Sequence, residues 1–324
     1  MNASRCPLLL GLVAWLTLES FVAAQQAAPR IGYIYPAGSR QGAELDLVVG
    51  GRNLQGIATA YVSGSGVQTF AFGYARSMTA AASIAETVTV RVTIAADAEP
   101  GQRELRLETP AGLTNPLAFT VGQLPEFREK PAKDAAPADM SVTLPAVLNG
   151  RIMPGEVDRY RFPARKGERL VFAASARELV PYLPDAVPGW FQAVLALYDA
   201  QGNELAYADD YRFSPDPVLH YEVPQDGQYV IEIRDALYRG REDFVYRLAA
   251  GELPFVASIF PLGGPAGAKT SVDLRGWNLP VTRLTPALPE AGIHPLFVRK
   301  RYDVLSERRL DSLLDAVSTS RSES

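Results

Sequence analysis

Apolar and polar residues alternate with a period of two along most of the chain. In Glu44–Val49, Thr87–Ile94 and Arg103–Glu108, Leu, Val or Ile recurs at every second position, and most residues between them are charged or are threonine. This pattern predicts strands with one buried and one wet face, as antiparallel β-sandwiches have. Turn residues such as Gly50-Gly51 and Glu99-Pro100-Gly101 separate the strands.

The same alternation continues in the middle of the chain. It is present in Leu219–Val223, and a Gln225-Asp226-Gly227 turn leads from there into the strand Tyr229–Arg234. Between the two strand-rich segments, Pro125–Ala138 is rich in Pro, Ala and charged residues and has no apolar periodicity. That composition predicts a semi-rigid linker and a mobile joint between two domains.

A motif from the first segment returns near the end of the chain at a constant offset of 225 residues. Ile34-Tyr35-Pro36 recurs as Ile259-Phe260-Pro261, and Gly51-Arg52-Asn53-Leu54 recurs as Gly276-Trp277-Asn278-Leu279. Because both sequence pieces recur at the same offset, they indicate a second copy of the same structural unit. Fewer residues follow the motif in the second copy than in the first, so we expect this repeat to be incomplete.

These motifs resemble two known families. The repeated pieces resemble immunoglobulin-like IPT/TIG domains, and Asn149–Phe162, Leu197–Asp210 and Pro224–Tyr229 resemble the bacterial pre-peptidase C-terminal (PPC) domain. The resemblance implies a jelly-roll-like β-sandwich that is usually appended to secreted proteases or other exported proteins. Such domains assist secretion, localisation or substrate attachment, and related domains in bacterial collagenases bind collagen and calcium. No peptidase domain accompanies the PPC-like segment here.

The patterns together predict an all-β chain of tandem antiparallel β-sandwiches. The predicted order is an immunoglobulin-like unit, a jelly-roll-like unit and a partial second immunoglobulin-like unit. The tail is expected to be poorly ordered or helical, with Leu305, Leu310, Leu313 and Leu314 on one helix face. The predicted boundaries are a signal peptide at 1–24, an IPT/TIG-type domain at 30–122, a linker at 123–139, a PPC-like domain at 140–252, an incomplete repeat at 255–290 and the tail at 291–324.

The first residues have the features of a bacterial secretory signal. Arg5 precedes the apolar run Pro7–Leu18, and Val22-Ala23-Ala24 supplies small residues for cleavage. We therefore expect a secreted, periplasmic or cell-surface protein. Cys6, the one cysteine, would be removed with the signal, so the mature chain would have no disulfide and no cysteine-ligated metal. No later stretch reaches the length of a membrane span.

Composition excludes several classes of function. With 32 basic and 36 acidic side chains the net charge is −4, which gives no basic surface for nucleic acid. The two histidines are His220 and His294, and His220 alternates with core residues on a strand, where we expect it on the wet face. No HExxH motif, zinc-ligand set or phosphate-binding glycine loop occurs. We predict that the protein is not an enzyme and has no catalytic residue.

Four aspartates form a candidate calcium site. Asp209 and Asp210 are consecutive, Asp216 follows within a few residues, and Asp158 lies in an earlier strand turn. Calcium takes six to eight oxygen ligands, several of them anionic, and a cation would offset the repulsion between adjacent carboxylates. The alternative is a solvated turn in which the aspartates accept local backbone hydrogen bonds. Calcium is the only cofactor that we expect.

Aromatic residues beside arginines form a candidate ligand surface. Tyr211-Arg212 and Tyr238-Arg239 lie in or near predicted loops of the middle domain. Such pairs combine a large contact area with polar tips, which suits recognition of a polypeptide or a sugar. We expect a non-catalytic exported binding module whose partner is an extracellular protein or polysaccharide. The alternatives are spacer domains of a larger surface protein and an appendage of a secreted peptidase.

Overall fold

The computed structural model describes residues 28–76, 86–129, 139–180, 191–286 and 290–292, and the backbone of 299–300 and 314–315. The predicted signal peptide and most of the predicted tail lie outside these residues. Leu314, which we predicted on a helix face, lies in a short strand. Within the described ranges, no helix has the length and apolar character needed to cross a membrane.

The first sandwich consists of two sheets with the strand orders β1-β3-β6-β5 and β2-β9-β7-β4, and β8 pairs with β7. Its strands are β1 (Arg30–Tyr35), β2 (Gly38–Arg40), β3 (Glu44–Arg52), β4 (Thr59–Val62), β5 (Val67–Arg76), β6 (Glu86–Ile94), β7 (Gly101–Thr109), β8 (Gly112–Leu113) and β9 (Leu117–Gly122). The predicted alternation is present here. Leu47, Val49, Val88 and Val90 are completely buried between the two sheets.

The middle sandwich has the strand orders β10-β12-β19-β14-β17 and β11-β13-β18-β15-β16. Its strands are β10 (Glu126–Arg128), β11 (Met140–Ser141), β12 (Ala146–Arg151), β13 (Val157–Ala164), β14 (Arg169–Ser175), β15 (Ala193–Asp199), β16 (Glu204–Ala208), β17 (Val218–Glu222), β18 (Gly227–Asp235) and β19 (Val245–Gly251). Aromatic side chains such as Tyr160, Phe162 and Phe172 fill its core. The all-β prediction is confirmed.

The third unit is a small sheet with the order β20-β21-β22, and a separate strand pair follows it. The strands are β20 (Phe255–Phe260), β21 (Val272–Trp277), β22 (Arg283–Leu284), β23 (Arg299–Lys300) and β24 (Leu314–Asp315). The hairpin β20–β21 has the register of β1–β3: Phe255 pairs with Trp277 as Arg30 pairs with Arg52. The internal repeat is thus a repeat of backbone structure.

The turn after each copy of this hairpin is also repeated. Asn53 and Asn278 have left-handed φ angles of 58° and 52°. Asparagine tolerates this conformation because its short side chain can hydrogen-bond to nearby backbone. Each Asn donates from Nδ2 to a backbone oxygen just before its hairpin, at 3.3 Å to Ala28 and at 3.2 Å to Leu253. These equivalent hydrogen bonds explain why the Gly-x-Asn-Leu motif occurs in both copies.

The first joint is packed, although the composition of Pro125–Ala138 led us to expect a mobile one. Glu126–Arg128, within the segment predicted as linker, is strand β10 and pairs in parallel with β12 of the middle sandwich. Leu179 and Val245, both from the middle sandwich, are buried in the hydrophobic core of the first. The chain therefore joins a sheet of the middle sandwich, through β10, soon after it leaves the first sandwich.

Candidate binding surfaces

The structure does not bring the four predicted calcium ligands together. The carboxylate of Asp216 is buried and accepts hydrogen bonds from the backbone N–H groups of Arg177 and Glu178, at 2.7 and 2.9 Å. Asp209 and Asp210 are exposed in the turn after β16. Across the described ranges no three His, Cys, Asp or Glu side chains are grouped as metal ligands. Calcium binding stays a prediction, without geometric support from these residues.

Asp158, the fourth of these residues, belongs to a buried network at the first joint. The Tyr246 hydroxyl donates to Asp158 Oδ2 at 2.6 Å and lies 2.6 Å from the Tyr160 hydroxyl. Glu129 is hydrogen-bonded to Asp158 and accepts from the backbone N–H of Arg151 at 2.8 Å. Burial, and then the Glu129 carboxylate, raises the pKa of Asp158 to about 8. Burial in this network therefore favours the protonated form of Asp158.

Tyr211 and Arg212, two of the predicted ligand residues, lie in the joint between the middle sandwich and the third unit. The Tyr211 ring packs edge-on against Phe255 and Trp277, with centroids 5.2 and 5.9 Å apart. The Arg212 guanidinium donates to the backbone oxygen of Ala257 at 2.9 Å. Here these side chains connect two parts of the same chain rather than forming an open surface.

His220 lies in the same joint, and our expectation that it faces water was wrong. Its ring stacks on Trp277, with centroids 4.8 Å apart and planes within 9°. Burial lowers the pKa of His220 below its ordinary value, and the positive charge of Arg169 acts in the same direction. The prediction could not include this contact because Trp277 belongs to the third unit.

Arg239 has a structural partner. Its guanidinium donates to the completely buried carboxylate of Asp235 at 3.0 and 3.1 Å. Burial by itself would raise the pKa of Asp235, but Arg239 and the backbone N–H groups of Gln192 and Leu237 bring it below its usual value. Arg239 thus neutralises a buried charge and fixes the loop that follows β18.

Tyr238 is exposed, as a ligand residue should be, and belongs to a larger surface. Its side chain is 54% exposed, and the Arg234 guanidinium lies over its ring at 4.7 Å. Tyr207 of β16 is 48% exposed. Burial raises the pKa of Tyr207, Asp209 adds to this effect, and the charges of Arg234 and Tyr238 also reach it. We call Tyr207, Arg234 and Tyr238 the tyrosine face.

Strand register explains how the tyrosine face forms. Ala196 of β15 pairs with Tyr207 on one side and with Glu232 on the other. Glu232 and Arg234 point to the same side of β18 because side chains alternate along a strand. The prediction identified Tyr238. The alternation with Ile231 and Ile233 placed Arg234 on the outward side of its strand, but Arg234 was not among the predicted ligand residues.

A second aromatic surface was missed entirely. Phe70 and Phe72 lie on the outer side of β5, with ring centroids 6.0 Å apart and planes within 21°. Phe70 is 67% exposed. The pattern of β5 did not indicate its outer side, because Val67 and Ala71 are also apolar and occupy the alternate positions.

Comparison with known proteins gives architectural likenesses only. No family model and no curated protein matches the chain. Among solved structures, it is similar to the pre-peptidase C-terminal domain of a Bacillus anthracis collagenase, with 11% identity over 36% of this chain and 99% of that chain, at a TM-score of 0.27. It is similar to the lysozyme inhibitor PliG of Aeromonas hydrophila, with 14% identity over 39% and 95%, at a TM-score of 0.23.

A third likeness covers more of the chain. The protein SGBP-B from a mixed-linkage glucan utilization locus of Bacteroides ovatus shares 9% identity over 60% of this chain and 71% of that chain, at a TM-score of 0.19. These identities and TM-scores are too low to transfer a function.

Proposed function

We propose that the protein is a non-catalytic, exported binding module whose tyrosine face contacts an extracellular protein or polysaccharide. The observation that carries the proposal is the placement of two half-exposed tyrosines, Tyr207 and Tyr238, around the guanidinium of Arg234. Tyrosine and arginine dominate the energetics of binding surfaces because they offer large, amphipathic contact areas. Export is inferred from the signal-like sequence at 1–24.

The backbone at Tyr238 supports this proposal. Its φ of 55° is left-handed, a conformation that costs a non-glycine residue about 1 kcal/mol or more. The turn is held by hydrogen bonds from the Tyr238 N–H to the Asp235 oxygen at 3.0 Å and from the Gly155 N–H to the Tyr238 oxygen at 3.1 Å. A bulky ring is thus kept at a strained, exposed position where glycine would fit with less strain, which favours a role for the ring itself.

The test is retention on insoluble polymers. The purified chain is passed over gelatin, peptidoglycan, cellulose and chitin, and affinity for any retaining polymer is compared with that of the double variant Tyr207→Ala/Tyr238→Ala. Loss of two such anchors should weaken binding at least about tenfold. The melting temperature should change little because both rings are half-exposed and lie outside the core.

The matched control is Tyr61→Ala, which removes an equally exposed tyrosine from the first sandwich. It should leave binding on the tyrosine face unchanged. If the double variant binds as tightly as the parent, or if no polymer and no polypeptide is retained, the proposal is wrong.

One observation favours the spacer function as a second candidate. The first joint is packed through Leu179 and Val245, so the first two sandwiches form a stiff unit. A spacer would show an elongated particle by small-angle scattering and no retention on any polymer.

A further inference from the structure

The outer face of the first sandwich carries an exposed aromatic platform, formed by the stacked rings of Phe70 and Phe72. Phe70 pairs with Arg91 and Phe72 with Thr89 across β5 and β6. The residues that alternate with these on β6, including Val90, are completely buried, so the two phenylalanines point away from the core. An exposed pair of nearly parallel, stacked rings contributes nothing to the core of the sandwich, which marks it as a contact surface.

A planar polar group borders this platform. The Arg91 guanidinium lies 5.3 Å from the centre of the Phe72 ring and makes two hydrogen bonds to the Asp46 carboxylate, at 2.8 and 2.9 Å. The Glu44 carboxylate lies 3.7 Å from Arg91 Nε. All three residues are on the outer face of the sheet, beside the rings. The platform thus has hydrogen-bond donors and acceptors along one edge.

Beyond this border lies a polar cavity of about 300 Å³ at the first joint. Glu44 lines it from the first sandwich, and Glu126 and Arg128 line it from β10. Asp46 connects the two regions: its carboxylate binds Arg91, and its backbone oxygen lies 3.5 Å from Arg128 Nη1. The platform and the cavity therefore form one continuous surface that crosses β5, β6 and β3, which are spaced about 4.8 Å apart.

Two arginines and two glutamates line the cavity. Glu126 is paired with Arg247, at 2.8 and 3.1 Å, so its charge is neutralised inside the joint. Arg40 and Arg128 also line the cavity, and both are exposed. Within the described part of the chain Arg40 has no carboxylate partner, and Arg128 donates to the backbone oxygen of Asp46, whose carboxylate its charge also reaches. Two guanidiniums are thus available for an anionic group, in a protein whose net charge is −4.

We infer that this surface, formed by Phe70, Phe72, Arg91 and Asp46 and continued by Arg40 and Arg128, is a binding site for an acidic polysaccharide. The apolar face of a sugar ring would stack on the phenylalanines. Its hydroxyl groups would bind the Arg91–Asp46 pair. A sugar carboxylate further along the polymer would bind the guanidiniums in the cavity, in the bidentate geometry that arginine and carboxylate prefer.

A polypeptide fits this surface less well than a sugar chain. The two parallel rings lie on the outer side of a sheet rather than in a pocket that would enclose an apolar side chain, and the bordering polar groups lie beside them. The site is on a different sandwich from the tyrosine face, so the inference goes beyond the proposed function and is independent of it.

The test is titration of the full mature chain with polygalacturonate, with its methyl-esterified form as the neutral comparison, by calorimetry. In Arg40→Gln/Arg128→Gln, affinity for polygalacturonate should fall at least about tenfold, and affinity for the esterified polymer should stay the same. In Phe70→Ala/Phe72→Ala, affinity for both polymers should fall at least about tenfold. Tyr61→Ala, on the other sheet of the same sandwich, is the control and should bind like the parent.

Three outcomes would overturn the inference. The first is absence of binding to polygalacturonate. The second is binding that neither double variant weakens. The third is equal affinity for polyglutamate that depends on the arginines and not on the phenylalanines, which would show simple charge attraction. Because Tyr207→Ala/Tyr238→Ala leaves this site intact, it should bind polygalacturonate normally, so failure here is distinguishable from failure of the tyrosine face.

Discussion

The two joints of the middle sandwich use opposite ends of the same repeated hairpin. In the first copy, Tyr35 at the end of β1 faces the middle sandwich, and the Arg151 guanidinium lies 4.7 Å from its ring centre. In the second copy, Phe255 at the start of β20 faces it, and the equivalent of Tyr35, Phe260, is 76% exposed. The same backbone hairpin therefore contacts the middle sandwich in two different ways. The side chains at its ends determine which end makes the contact.

The chemistry of the two joints differs accordingly. The first joint buries charge: Arg247 binds Glu126 and Asn149, and the carboxyl groups of Asp158 and Glu129 lie together in a buried network. The second joint stacks half-buried rings, with Trp277 at its centre. The pair Phe255 and Trp277 stands where the first copy has two exposed arginines. The comparison shows that a repeat can keep its register and still acquire a new interface through one residue pair.

The largest effect is expected from breaking the buried ion pair of the first joint. Arg247→Ala leaves the carboxylate of Glu126 buried without its cation, which should lower the free energy of unfolding by about 3–5 kcal/mol. The matched control, Arg106→Ala, removes an arginine paired with Glu104 on the surface and should cost about 1 kcal/mol or less. Urea unfolding measures both, and equal losses would contradict a special role for the first joint.

The pH dependence of stability should also come from the first joint. In the unfolded chain Asp158 loses its proton near pH 4, whereas in the folded protein it keeps the proton up to about pH 8. The folded state thus binds more protons between these values, so the contribution of Asp158 to stability is full below about pH 4 and is lost as the pH rises to about 8. One proton gives a slope of at most about 1.4 kcal/mol per pH unit.

Asp158→Asn is the variant that checks this assignment. The amide keeps the shape of the carboxyl group and can still accept a hydrogen bond from the Tyr246 hydroxyl. Thermal unfolding followed from pH 4 to pH 9 should therefore show a flatter dependence in the variant than in the parent. An unchanged slope would place the pH dependence elsewhere in the molecule.

A smaller effect is expected at the second joint. Trp277→Ala removes the ring that stacks on His220 and Phe255, which should weaken docking of the third unit by about 1–2 kcal/mol. Limited proteolysis should then cut more rapidly near Leu253, which lies between the middle sandwich and the third unit. Phe260→Ala, at the free end of the same hairpin, should leave the cleavage rate unchanged. Equal acceleration by both would contradict the stacking interpretation.

Much of the fold could be predicted from local pattern. Alternation is confined to neighbouring residues, so the strands Thr87–Ile94 and Arg103–Glu108 could be located from the sequence, and both lie within observed strands. The constant offset of 225 residues predicted a second copy, and the β20–β21 register matches that of β1–β3. Both features follow from patterns that can be seen in the sequence itself, namely apolar alternation and a repeated motif.

The site residues were harder because their roles depend on distant partners. Asp158 was predicted as a metal ligand, yet it occurs at even spacing with Tyr160 and Phe162, which indicates the core side of β13. That signal was present in the sequence. The partner of Asp158, Tyr246, is 88 residues away. The partners of Tyr211 lie in the third unit, and no local pattern could show that they meet.

Leu179 and Val245 belong to the middle sandwich but are part of the apolar core of the first, so the two sandwiches are not independent modules. Val245 and Tyr246 are neighbours on β19, and their side chains enter the cores of two different sandwiches. One strand thus couples the melting of both, so calorimetry should record a single endotherm for them. A chain divided at the linker would leave a gap in the core of the first sandwich and an apolar surface exposed on the middle one. We therefore expect the two sandwiches to be retained together as one structural unit.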